Sequence, residues 1–124
     1  MSDIQNNVEL FIDALSRECD VKSARVLLDA PISNDAQYSP TVSQIQYCYN
    51  ERFIKDLTKT GSILPLKLTL HEFAHHILDE QDKSQSEKFA RQFTHKYMTK
   101  LQKEWKNTIL NGEQPNISID KTDI

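Results

Sequence analysis

Long apolar runs are missing from this chain of 124 residues. No stretch approaches the roughly 20 apolar residues that a bilayer-crossing helix needs, so no membrane span is expected. Cysteine is scarce: Cys19 and Cys48 stand alone, in no C-x-x-C pattern. Two free thiols in a reducing, cytoplasmic setting are the expectation, rather than a disulfide framework. The opening "MSDIQNNVEL" has no basic stretch followed by an apolar run, so no export leader is read. Positive charge is also short. Lys and Arg number 15 against 18 Asp and Glu, a net charge of −3. That balance lacks the electrostatic footprint of a nucleic-acid binder, and no direct nucleic-acid partner is expected. There is no internal repeat and no low-complexity tract. What remains, 38% hydrophobic and 27% charged residues, is the composition of an ordinary globular domain. A chain of this length forms one domain and can bury a core unaided.

Periodicity divides the chain into elements. Residues 3 to 19 read as a helix, with Ile4, Val8, Phe11, Ile12 and Leu15 on one face and Ser2 or Asp3 as cap. "ARVLLDA", 24 to 30, reads as a strand closed by Pro31, and 31 to 40 as a loop. "TVSQIQYCYN" alternates as a half-buried strand, with a slip in phase near Ser43. Asn50 can cap a short helix that Gly61 would end. Pro65 suits the first turn of a helix over roughly 65 to 80. After a turn at "DKSQ", a long helix is expected from about Ser84 to about Ile109. The domain is placed at 1–110, and 111–124, with a glycine, a proline and little apolar content, is expected to be a mobile tail.

The third helix carries "LTLHEFAHHIL", in which His71, Glu72 and His75 spell H-E-x-x-H. A helix turns about 100° per residue. With His71 at zero, His75 falls about 40° away and one turn along, on the same face. Leu66, Leu70, Phe73, Ala74, Ile77 and Leu78 fill roughly the 200–340° arc, so the apolar and histidine sides are opposed. Two imidazoles so placed can both reach one zinc ion. Glu72, about 100° round, lies too far to the side to be a ligand but can take a proton from a zinc-bound water.

Such a site needs a third protein ligand. A metzincin would place glycine at 78 and histidine at 81, where this chain has Leu78 and Gln81. A carboxylate from a following helix is the alternative. Glu87 lies on the margin of the apolar face formed by Ala90, Phe93, Thr94, Tyr97, Met98, Leu101 and Trp105, and so points toward the neighbouring helix. Asp79 and Glu80 are the rival ligands. Asp79, one turn beyond His75, is better cast as an acid that orients an imidazole. His76 points away and reads as a supporting or surface residue. His95, Arg91, Tyr97, Tyr47 and Tyr49 are candidates to stabilise an oxyanion. The strand at 42 to 49 is a candidate edge for an extended peptide. The scattered lysines of the long helix read as a solvated face.

These features resemble a small gluzincin metallopeptidase, and in detail the ImmA/IrrE-type domain. "LTLHEFAHHIL" is similar to that family's apolar run into HExxH, "SEKFARQF" to its downstream glutamate helix, and "SQIQYCYN" to the strand before the active helix. The resemblance covers roughly residues 20 to 105, and SprT-like and minimal stand-alone gluzincins share much of it. Ala74 stands where members often have glycine, and no helix-turn-helix partner pattern is present in the chain. The resemblance implies an α+β zincin-like domain with an N-terminal helix, a short sheet, an HExxH helix and a long glutamate-bearing helix. It implies Zn²⁺ held by His71, His75 and Glu87, Glu72 as base, and intracellular cleavage of a protein or peptide, often a transcriptional regulator. The residues also leave open a non-catalytic or latent zinc-binding module, and a metal-free helical interaction protein.

Overall fold

The computed structural model describes residues 3–59 and 63–124. Ser2, the alternative cap, and Gly61, the expected helix end, lie outside them. Among the described residues the chain is α+β: α1 (Ile4–Glu18), β1 (Arg25–Leu27), β2 (Ala36–Ser39), β3 (Gln44–Tyr47), α2 (Glu51–Thr58), α3 (Leu64–Glu80) and α4 (Glu87–Asn111), with a 3₁₀ turn at Lys121–Asp123. None of these helices is long and apolar enough to cross a membrane.

Helix starts follow local chemistry. The side chains of Asp3, Asn50 and Ser86 accept from the backbone N–H groups of Asn6, Phe53 and Phe89. α3 has Pro65 in its first turn, where a missing N–H does no harm. It ends sharply. Asp82 takes a left-handed conformation (φ 55°), and Lys83 N–H reaches back to the Leu78 carbonyl at 2.9 Å. That Schellman-type closure reverses the chain and starts α4 antiparallel to α3. Phe73 and Phe93 then pack with ring centroids 6.4 Å apart.

The sheet is three-stranded and mixed, in the order β1-β3-β2. β3 pairs parallel with β1 and antiparallel with β2. Two expectations change here. The segment 31–40 is not all loop: β2 lies inside it, hidden because its four residues sit between Pro31 and Pro40. β3, proposed as the peptide-accepting edge, is the central strand, and both its edges are taken. The free edge facing α3 belongs to β2. The phase slip near Ser43 has a cause, since Ser43 adopts φ 50° and the strand begins only after it. Val42, before that turn, is exposed.

The core lies between the inner sheet face, α1, α3 and α4, around Phe11, Ile12, Leu15, Ile45, Leu70 and Ile77. Phe11 meets Trp105 edge to face at 4.9 Å. The segment 112–124 lies against this core rather than free of it. Pro115, Ile117 and Ile119 are buried while Asn116 and Ser118 are exposed, a period-2 pattern too short to stand out in the sequence. The Tyr97 hydroxyl donates to Asp123 and accepts from Asp120 N–H, and Lys121 pairs with Asp20 at the end of α1. Ile119→Ala is expected to cost about 2–4 kcal/mol in denaturant unfolding. An unchanged midpoint would show that the segment contributes no packing.

Candidate metal centre

His71, His75 and Glu87 converge. Their ligating atoms lie within 4.8 Å of one another, the only group among the described residues with that geometry. Glu87 Oε2 is 2.6 Å from His75 Nε2 and 3.3 Å from His71 Nε2. The histidines come from successive turns of α3. The glutamate comes from the first turn of α4, carried over by the reversal at 81–86. A tetrahedral ion with bonds of about 2.0–2.1 Å holds its donors about 3.3 Å apart, so small side-chain movements suit this set to a divalent metal. Glu87 is not buried, since its side chain is 60% exposed. What places it is the helix start and the two imidazoles, not the cost of an enclosed charge. Burial alone would push its carboxyl up, but the two histidines outweigh that and hold it below the usual range.

The support of His75 was not foreseen. Gln85, in the turn, accepts from His75 Nδ1–H through Oε1 at 2.6 Å and donates through Nε2 to the His75 carbonyl at 3.1 Å. The two bonds fix the amide's orientation, and with it the tautomer that leaves Nε2 free to ligate. Asp79, expected to orient an imidazole of the site, does otherwise: it accepts from the Tyr38 hydroxyl at 2.6 Å. Glu80 accepts from Lys22 N–H at 3.4 Å, away from the triad. Neither rival ligand joins the group.

His76, read as a supporting or surface residue, is buried at 0% exposure, so the surface alternative falls. Its Nε2 donates to the Lys22 carbonyl at 2.6 Å, and its Nδ1 lies 3.0 Å from the Tyr38 hydroxyl. The helical angle could not decide between the two because it does not show that β2 and the α1–β1 loop cover that side of α3.

Glu72 belongs to none of these clusters. It faces a cleft of about 420 Å³ between α3, β2 and the start of α4, lined also by Asn34, Gln37, Tyr38 and Pro40. A second hollow of about 310 Å³ continues past His71 and Glu72 to Asp35, Lys67 and Leu68. Burial raises the Glu72 carboxyl above its ordinary 4.5, and Glu87 adds to this, while His71, His75 and the Tyr38 N–H oppose it. None of the five oxyanion candidates lines the cleft. Tyr47 is buried against Thr69, Tyr97 is held by the C-terminal segment, Tyr49 packs on Phe53, and Arg91 and His95 are exposed. No known protein family, curated protein or solved structure matches the chain.

Two outcomes are expected. Gln85→Ala should weaken divalent-metal binding about 10- to 100-fold in a chelator competition, with the fold intact. Unchanged affinity would remove Gln85 from the site. The second concerns Glu72 without metal. Its raised carboxyl contributes stability that is whole below the ordinary 4.5 and is lost as pH rises through the raised value. Metal-free Glu72→Gln should therefore melt higher than the unsubstituted chain at neutral pH, and the gap should shrink as pH falls below the raised value and be closed by 4.5. A gap independent of pH would contradict it.

Proposed function

We propose that the chain is a zinc-dependent peptidase of zincin fold, hydrolysing peptide bonds in a protein or peptide substrate. The observation that carries this reading is Glu87: a carboxylate from a separate helix meets both HExxH imidazoles, while Glu72 stays outside the ligand cluster and faces the cleft. A site that served only to hold the fold together would have no use for that arrangement.

His71, His75 and Glu87 would hold Zn²⁺, a borderline-soft ion suited to two imidazoles and one carboxylate. The ion, when bound, polarises the scissile carbonyl and eases deprotonation of the attacking water. Glu72 takes that proton and later returns it to the leaving amine.

β2 supports the substrate class. In an antiparallel ladder successive residues turn their backbone groups alternately toward and away from the partner. Cys48 N–H donates to the Asp35 carbonyl, so Asp35 and Gln37 face β3 while Ala36 and Tyr38 turn their backbone groups outward. Ala36 borders both hollows of the cleft. An extended peptide can add to this edge and pass the metal site in either direction, the geometry of cleavage within a chain rather than at its end. A cytoplasmic setting fits the two free thiols.

Protein purified without chelators should carry about one zinc per chain. Glu72→Gln should keep that zinc and lose about 10²- to 10⁴-fold in kcat on an unstructured protein substrate. A zinc content near zero would sink the reading. Full zinc without hydrolysis by the unsubstituted chain would leave a binding module.

A further inference from the structure

The lysines of α4, read in the sequence as a solvated face, are not equivalent in the fold. The helix holds six of the chain's 15 Lys and Arg and two of its 18 Asp and Glu, leaving nine against 16 for the rest of the chain. Both acids of α4 are engaged: Glu87 with the two histidines, and Glu104 as acceptor for Asn116 N–H at 2.7 Å. Two of the cations are engaged as well. Lys96 pairs with Asp123 at 2.6 Å, and Lys96 and Lys100 lie over the Tyr97 ring at 5.8 and 5.5 Å. The other four are Lys88, Arg91, Lys103 and Lys106. Among the described residues none of them has a carboxylate within 4.0 Å.

These four share one side of the helix. With Glu87 at zero, Arg91 falls at about 40°, Lys88 and Lys106 at about 100°, and Lys103 at about 160°. The stripe starts in the turn that supplies Glu87 and runs about 27 Å along α4. Near its far end Lys103 and Lys106 border an open hollow of about 310 Å³, with Thr99, Gln102 and Asn107. A helix face that serves only to stay wet mixes both signs of charge. This one carries a single sign, and its layout works against the helix. Lys88 lies in the first turn, where free backbone N–H groups already make the end positive. Lys88 with Arg91, and Lys103 with Lys106, set like charges three residues apart on neighbouring surface positions. The chain gains nothing internally from these placements. An acidic partner turns each of them into an attraction.

The surroundings favour a short acidic peptide over a nucleic acid. The acidic remainder of the chain repels a long polyanion beyond the stripe. The stripe also has no aromatic side chain on which a base could stack. About eight extended residues span its length. We propose that this stripe is a docking surface for an acidic, unstructured segment of the protein substrate, held outside the cleft while another segment is cut. Only the nature of the partner rests on the peptidase reading, because docking can be measured without cleavage.

The probe is a fluorescently labelled peptide with about eight glutamates, beside the same peptide with glutamines. At low ionic strength the unsubstituted chain should bind the glutamate peptide about tenfold or more tightly than its glutamine counterpart, and salt should erode the preference. Lys103→Glu with Lys106→Glu should abolish that preference. Both residues lie on the outer side of α4, and the neutral pair Lys103→Gln with Lys106→Gln gives the same reading should the reversed pair not fold. Lys55→Glu, on α2 and off the stripe, should leave binding within about twofold. Binding that is indifferent to the Lys103 and Lys106 substitutions would overturn the proposal. So would an oligothymidylate of equal charge that binds more tightly than the peptide and depends on the same two lysines. In cleavage, joining the acidic segment to a substrate should lower KM about tenfold in the unsubstituted chain and not in the doubly substituted one. If the unsubstituted chain hydrolyses nothing, the peptidase reading fails on its own, and the binding comparison still decides the stripe.

Discussion

The site depends on how α4 lies back against α3. Apolar burial drives the two helices together, through Phe73, Phe93 and Ala90, but burial has no direction of its own. Direction comes from the left-handed Asp82 and the bond from Lys83 to Leu78, which end α3 abruptly, and from Ser86, which starts α4. Between those two stops the chain has a few residues in which to reverse. That places the first turn of α4, and with it Glu87, beside the last HExxH histidine. Gln85 in the same turn holds the ring it passes. A longer or looser connection would keep the packing and lose the convergence of the three ligating atoms.

α3 also has no unoccupied side near its middle. One arc is core. A second carries His71 and His75. The third, with His76 and Asp79, is covered by β2 and the α1–β1 loop. The sheet is therefore oriented relative to the histidines by polar contacts more than by its small apolar face, and its free edge runs along the cleft. Hydrogen bonds are suited to this because they demand both distance and angle, whereas apolar contacts tolerate sliding. The C-terminal segment does a separate job along α4. It seals the core with Ile117 and Ile119 and ties α4 to α1 through Asp123 and Lys121.

Several features were legible in the residues because their signals are local. The period of α1, α3 and α4, the caps at Asp3 and Asn50, and the shared face of His71 and His75 follow from spacing within one element. Glu87 was legible as a candidate because it sits at the margin of an apolar face that must meet α3. β2 was not legible, since four residues between two prolines give too short an alternation to outweigh the turn formers around them. The packing of Pro115, Ile117 and Ile119 was hidden in the same way. Gln85 carries no motif at all, and its role exists only once the turn is closed.

The sequence by itself determined the helices, the opposition of apolar and histidine faces on α3, and the separation of Glu72 from its neighbours by angle, because a helix imposes its period on every residue it contains. Tertiary structure alone decided that Glu87 rather than Asp79 or Glu80 meets the two imidazoles. It also decided that Asp79 and a fully buried His76 serve Tyr38, and that β2 rather than β3 is the free edge. These outcomes depend on contacts between separate elements, up to 54 positions apart in the chain. No local period encodes such contacts, and they form only when the packed elements leave each polar group a single partner within reach.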